Sequence, residues 1–194
     1  MKFEIYKFKE VTSTNDIAVN LIKEKKKVTG CVYSDSQTKG RGTKGKKWIS
    51  LKGNLFTSLF FPLKDKYPPF NEFSIINPIL IADVIKKFCN DKNITLKYPN
   101  DVFLNGKKIC GVLQELIVME DRKFLIIGIG LNIISNPNIE KKYKATNILS
   151  ETKSAPEIKE IIDLIILSYE RFFMELESYN FIKFRKKAEL MSLN

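Results

Sequence analysis

The dipeptide Asn105-Gly106 restricts the fold of this 194-residue chain more than any other short feature. Both residues tolerate the positive φ of a type I′ turn, so the strand-like runs at 101–105 and 107–118 are joined as a tight hairpin. Further strands are expected at 94–98 and 123–133, and earlier at Val28–Ser34 and Leu55–Phe61, the last ended by Pro62. Residues 2–9 place Phe3 and Ile5 on one face and Tyr6 and Phe8 on the other, which predicts a strand buried on both sides. Between these strands the periodicity turns helical. Thr12 to Asp16 offers N-cap chemistry with Ser13 and Asp16 at capping-box spacing, followed by an apolar face of Ile17, Ala18, Leu21 and Ile22. A long helix is expected at 72–89, kinked or restarted at Asn77-Pro78, with further helices at 157–178 and 180–190. Such interspersion predicts an α/β (or α+β) fold, a mixed β-sheet flanked by helices, in a single domain over residues 1–194.

Composition narrows the chemistry. An apolar fraction of 44%, with 14 Phe, 7 Tyr and one Trp, is enough for a folded core without disulfides or metal. No apolar run reaches the length of a membrane span, and Lys2, Glu4 and Lys7 interrupt a signal-like start, so a soluble, cytoplasmic chain is expected. Cys31, Cys89 and Cys110 are an odd and scattered set, which favours reduced thiols over a disulfide framework or zinc site. The chain has no histidine, which removes histidine triads, histidine metal sites and histidine bases together. A net charge of +11 is met by an anionic partner or by a lysine-rich solvated surface. Polar runs such as Lys23–Lys27 and Lys64–Lys66 place most of the basic residues in the second class.

Four segments carry chemistry. In Gly40-Arg41-Gly42-Thr43-Lys44-Gly45-Lys46-Lys47-Trp48, glycines let backbone amides approach a ligand, cations neutralise phosphate and Trp48 offers a stacking face. The Walker spacing is missing, and a flexible basic loop or an RNA-binding Gly-Arg segment has the same composition. Lys97-Tyr98-Pro99-Asn100-Asp101 runs into the hairpin that carries Lys107, Lys108 and Gly111. An amide, a carboxylate and lysines at one strand edge suit a base, magnesium and phosphate, while Pro-Asn-Asp is also ordinary turn chemistry. Gly128-Ile129-Gly130-Leu131-Asn132 lacks a dinucleotide fingerprint and permits a bulge or close backbone approach. Ser13-Thr14-Asn15, with Gln37, suits either helix capping or a polar, uncharged ligand head.

Taken in this order, the set resembles the catalytic domain of the biotin–protein ligases. The matching residues are Ser13-Thr14-Asn15, Gln37 ahead of Gly40-Arg41-Gly42 and Trp48, Lys97-x-Pro99-Asn100-Asp101, Lys108-x-x-Gly111, and Gly128-x-Gly130-x-Asn132. The resemblance runs clearly from Phe3 to Asn132. It implies a class II synthetase-like sheet and a two-step reaction: biotin and magnesium-ATP give biotinyl-adenylate, and a lysine of a biotin carboxyl carrier protein then takes the biotinyl group. Ser13, Thr14, Asn15 and Gln37 would line the biotin head pocket. Arg41, Gly42 and Thr43 would close over the activated carboxylate, with Gly111 beside it. Trp48 would stack near adenine, and Asn100 and Asn132 would read its edge. Lys46 and Lys97 would meet phosphate, Asp101 magnesium, and Lys108, with Arg41, would polarise the reacting carboxylate and α-phosphate. Biotin and ATP are substrates in this reading, with no permanently bound cofactor. Members of the family include monomers and homodimers.

Three departures from the family pattern carry expectations. Thr43 stands where a second arginine is usual, which weakens retention of the adenylate, with Lys44 or Lys46 partly compensating. Tyr98 replaces the usual Trp. No DNA-binding module precedes Phe3, and the chain stops where many members begin a small C-terminal β-barrel, so a catalytic domain without a DNA partner is expected. A lipoate ligase or octanoyltransferase shares the fold but places a histidine near the acyl site. An RNA-binding module would use Arg41, Lys44, Lys46, Lys47 and Trp48, leaving Lys97 to Asp101 and Lys108 without a role.

Overall fold

The computed structural model describes residues 1–89, 92–138 and 144–193. The chain opens with β1 (Glu4–Val11), α1 (Thr14–Lys23), β2 (Gly30–Gln37) and β3 (Leu55–Pro62). It continues through α2 (Phe73–Lys86), β4 (Ile94–Lys97), β5 (Asp101–Leu104), β6 (Lys107–Met119) and β7 (Arg122–Leu131). Three helices follow: α3 (Ile148–Thr152), α4 (Ile158–Met174) and α5 (Phe181–Leu190). Asn105 and Gly106 have φ of 51° and 73°, and the expected hairpin joins β5 to β6.

All seven strands form one sheet in the order β1-β2-β3-β7-β6-β5-β4. Only β1 and β2 run parallel; every other neighbour is antiparallel, so the sheet is mixed as expected. Its two faces follow from the alternation of side chains along each strand. Phe60 of β3 and Phe124 and Ile126 of β7 meet Ala18 and Ile22 of α1 on one face. Leu59, Phe61, Leu125 and Ile127, one step out of phase, join the larger core under α2 and α4 with Phe73, Ile76, Ile81 and Tyr169. The same parity carries past Ile126 to Gly128 and Gly130. There the apolar side chains of the α1 face give way to bare backbone, and a cleft opens beside the N-terminus of α1.

Several local expectations are corrected. β1 is not buried on both sides. It is an edge strand whose Ile5 is 46% exposed, because the helical layers stop short of the sheet edge. Helix α2 runs as one helix through Pro78, so it does not restart there. The expected 157–178 helix ends at Met174 and continues as a 3-10 turn, Leu176–Ser178. Helix α3 was not foreseen: five residues are too few for a periodic pattern, and the Asn147 side chain caps it by accepting from Ser150 N at 2.8 Å.

Candidate active site

The cleft holds about 1020 Å³ of empty space, partly open to solvent, on the α1 face of the sheet. Its floor is glycine. Gly111 and Gly130 are cross-strand partners on β6 and β7, and a Cβ on either would come within 2.7 and 2.4 Å of the Trp48 ring. A Cβ on Gly128 would fall 2.4 Å from Asn15 Oδ1. The two glycines of the Gly128-x-Gly130 motif therefore admit one polar and one aromatic side chain onto backbone, the close approach that glycine permits.

At one end the polar groups bind one another. Gln37 Oε1 accepts from Thr14 N at 2.8 Å and Thr14 Oγ1 at 3.2 Å, and its Nε2 donates to Ser50 Oγ at 3.0 Å. Ser58 Oγ lies 2.7 Å from Thr14 Oγ1 and 2.5 Å from Asn15 Oδ1, and Asn15 Nδ2 donates to Glu115 Oε2 at 2.7 Å. Both ends of the Asn15 and Gln37 amides are thus committed to protein partners, making them the frame of this pocket. Ser13 differs. It occupies the N-cap position of α1 (φ −156°, ψ 139°), yet its hydroxyl makes no capping bond among the described residues, and the buried side chain lines the cleft. The expected capping box does not form: Asp16, the residue at its far end, pairs with Arg41 instead.

At the other end Lys108 Nζ lies 2.6 Å from Asp101 Oδ1 and 5.4 Å from the Trp48 ring centroid. Its backbone is clamped by the segment before α3, with Lys108 N donating to Lys144 O at 2.8 Å and Thr146 N to Lys108 O at 2.9 Å. Asn100 Nδ2 donates to Asp101 Oδ1 at 3.2 Å. Asn132 Nδ2 donates to Thr146 O at 3.0 Å, which fixes the orientation of the amide and leaves Oδ1 facing inward. Two buried atoms of the cleft lining have no partner among the described residues: Asn132 Oδ1, an acceptor, and Trp48 Nε1, a donor. Unmet polar atoms inside a protein are costly, and this donor and this acceptor on the wall of an open cleft suit a polar ligand.

The glycine-rich segment folds back on itself as a small hairpin. Arg41 bridges Lys47, Gly42 N donates to Lys46 O at 2.7 Å and Trp48 N to Gly40 O at 2.9 Å. Around the 3-10 turn Thr43–Gly45, Lys44 takes a left-handed φ of 56°. From this hairpin Arg41 reaches across the cleft mouth to Glu115 on β6, with Nη1–Oε1 at 2.8 Å and Nη2–Oε2 at 2.7 Å, and to Asp16 Oδ1 at 2.8 Å. The Glu115 hydrogen bonds hold the guanidinium pKa above its ordinary value, against partial burial.

Every residue expected at the site lines this cleft except Lys97. Lys97 is exposed on β4, the outermost strand, one strand beyond its partner Asp101. Lys47, Leu113, Ile129, Pro137 and Ala145 also line it. Ser58 and Glu115 support it, and sequence reasoning passed over both: each sits singly within a strand, and only strand pairing aims it at α1. Asp101 is the one carboxylate among the described lining residues, and no cluster of three metal-ligating groups occurs among the described residues. All three cysteines are buried and free, and burial pushes the Cys31 and Cys89 thiols up to about 11 and Cys110 higher still.

The profile of the biotin/lipoate A/B protein ligase family matches residues 7–132. The bifunctional ligase/repressor BirA of Escherichia coli is 34% identical over 125 residues, which cover 63% of this chain and 38% of that protein. Biotin–protein ligase 2 of Arabidopsis thaliana is 29% identical over 84% of this chain and 50% of its own length. The chain thus spans half or less of these curated relatives. Among solved structures, the Aquifex aeolicus biotin protein ligase in complex with biotin and ATP superposes with a TM-score of 0.81 at 28% identity, over 98% of this chain and 78% of that one. A Leishmania major biotin protein ligase bound to biotinyl-5-AMP gives 0.84 at 26% identity, over 98% and 81%.

Proposed function

This chain belongs to the biotin/lipoate A/B protein ligase family, and on that premise we propose that its cleft joins biotin to ATP and passes the biotinyl group to a lysine of a biotin carboxyl carrier domain. In the first step a biotin carboxylate oxygen attacks the α-phosphorus of ATP and pyrophosphate leaves. In the second, the carrier lysine, as free amine, attacks the acyl carbon of the adenylate, AMP leaves with the bonding pair and the amine loses a proton. Both steps gather negative charge on oxygen, which a fixed cation stabilises without reorganisation.

The observation that carries this reading is the position of Lys108. It shares one cleft with the uncharged polar pocket of Ser13, Thr14 and Gln37, and lies at the end that also holds Trp48, Asn100 and Asn132. Asp101 and the backbone clamp hold its ammonium against the Trp48 face, which supports a role in polarising carboxylate and α-phosphate together. An adenine amino group would meet the unpartnered Asn132 Oδ1, with Trp48 beside the ring. Lys46 and Lys47 on the cleft wall would be phosphate cations, with Lys97 on the neighbouring strand beside Asp101. Magnesium bound chiefly by nucleotide phosphates needs one or two protein carboxylates, so Asp101 would hold it and the ion would neutralise phosphate charge. Biotin rather than lipoate suits the dense hydrogen-bonding frame around Thr14 and the absence of histidine.

Pyrophosphate exchange tests the reading. Exchange into ATP is expected with biotin and not with lipoate, and Lys108→Ala should abolish it, by about 10²-fold or more, with an unchanged circular dichroism spectrum. Exchange stimulated by lipoate alone would transfer the assignment to the lipoate branch, and near-normal turnover in the variant would remove Lys108 from it.

A further inference from the structure

Asn54 stands immediately before β3 and outside the cleft lining, yet its side chain holds a segment that begins on the cleft wall. Antiparallel pairing sets Leu55 opposite Leu131, so Asn54 lies across from the point where β7 ends and Asn132 follows. Asn54 is buried, and its Oδ1 accepts from three successive backbone amides: Ile133 N at 2.8 Å, Ile134 N at 3.2 Å and Ser135 N at 3.3 Å. Its Nδ2 donates to Ser135 O at 2.9 Å. Consecutive N–H groups turned to one point form a concavity that suits an anion, and here a neutral amide fills it while returning a donor to the same turn. A carboxylate accepts but cannot donate, and alanine does neither, so the joint demands asparagine. Gly53 completes it with a φ of 85°, where a Cβ would overlap Ile134 Cδ1.

The held segment runs straight on from Asn132. At its far end Asn136 Oδ1 accepts from Asn147 Nδ2 at 2.6 Å, so residues 133–136 form a strap fastened at both ends. Asn132 Nδ2 donates to Thr146 O, and its buried Oδ1 stays without a partner among the described residues. We propose that Asn54 is a positioning residue that sets the base selectivity of the cleft: by holding 133–135 it fixes Asn132 Oδ1 as the acceptor for an amino group of the nucleotide base. The inference rests on the ATP reading above and adds to it a residue from outside the cleft. A fixed acceptor favours adenine, whose exocyclic amino group donates, over hypoxanthine, whose oxo group would face a second acceptor. Loosening the strap removes that preference and leaves the biotin end of the cleft as it was.

Inosine triphosphate carries that oxo group in place of the amino group of ATP, and biotin-dependent pyrophosphate exchange reads both nucleotides. The wild type is expected to favour ATP in kcat/KM by about tenfold or more, the worth of one hydrogen bond. Asn54→Ala should raise the ATP KM about tenfold, keep kcat within a few-fold, and leave the inosine triphosphate and biotin KM values within about twofold. Gly53→Ala strains the same joint without removing a buried hydrogen bond, and should lower the preference for ATP about threefold. A residue that merely closes the end of β3 would weaken both nucleotides by one factor. Equal losses with the two nucleotides would therefore overturn the inference while the ligase reading stands. So would an unchanged preference in Asn54→Ala, or in Gly53→Ala where Asn54→Ala does not fold, and so would a wild type that exchanges without distinguishing the two. A wild type with no biotin-dependent exchange would instead sink the ligase reading, and this inference with it.

Discussion

Thr43 lines the cleft from the 3-10 turn of the hairpin, where its relatives' pattern leads one to expect arginine. A threonine there cannot reach across the cleft with a cation, and the neighbouring Lys44 and Lys46 are exposed. We expect Thr43→Arg to slow dissociation of the adenylate about tenfold or more, on the scale of one added charged hydrogen bond. A release rate no slower than that of the wild type, measured after single-turnover formation, would discard the idea. At this scale much of the site was legible. Residue types that serve polar, anionic and aromatic ligand groups stood at readable spacings, and nearly all of them meet in one cleft. Their roles were less legible. Asn15 and Gln37 read as groups for a ligand head but spend both amide ends on protein: Asn15 on Ser58 and Glu115, which arrive from strands distant in sequence, and Gln37 on Thr14 and Ser50.

Helix α3 shows what an element adds. Glu151 in its first turn is mostly buried and accepts from Thr146 Oγ1 at 2.7 Å, Asn105 Nδ2 at 2.8 Å and Lys107 Nζ at 3.1 Å. It thereby ties the β5–β6 turn to the segment that clamps Lys108. Burial pushes the Glu151 carboxyl up, but these three bonds outweigh it and hold the pKa below the ordinary carboxylate value. A carboxylate depressed on folding stabilises the protein above its unfolded pKa, about 4.3, and that contribution is lost as pH falls through the folded value. Glu151→Gln should therefore cost about 1–2 kcal/mol at pH 7 and progressively less below about pH 4. Thermal melts at the two pH values check the sign; an equal deficit at both would show that charge plays no part. The strands and their hairpin could be read from alternation and turn chemistry, whereas α3 could not, being shorter than any helical repeat.

Across the whole molecule, the layers are tied by one buried polar chain. Tyr169 of α4 donates to Asn77 Oδ1 of α2 at 2.9 Å, Asn77 Nδ2 to Gln114 Oε1 of β6 at 3.0 Å, and Gln114 Nε2 to Phe70 O at 3.1 Å. Tyr169 is fully buried, and burial raises its phenol pKa, so the hydroxyl stays protonated and donates. Tyr169→Phe should leave Asn77 Oδ1 buried without a donor and lower unfolding stability by about 1–3 kcal/mol, read from urea denaturation with an unchanged m-value. A variant as stable as the wild type would mean that the chain of bonds is incidental to the packing of α2 and α4. By itself the amino-acid sequence determined the strand and helix periods, the Asn105-Gly106 hairpin and the chemical types available to a site, because each depends on residues a few positions apart. Sheet order decided the rest. It seated Trp48 on paired glycines of β6 and β7, and it carried Arg41 to Glu115 across 74 positions of sequence. A contact of that kind exists only where elements distant in sequence converge, and no local pattern encodes that convergence.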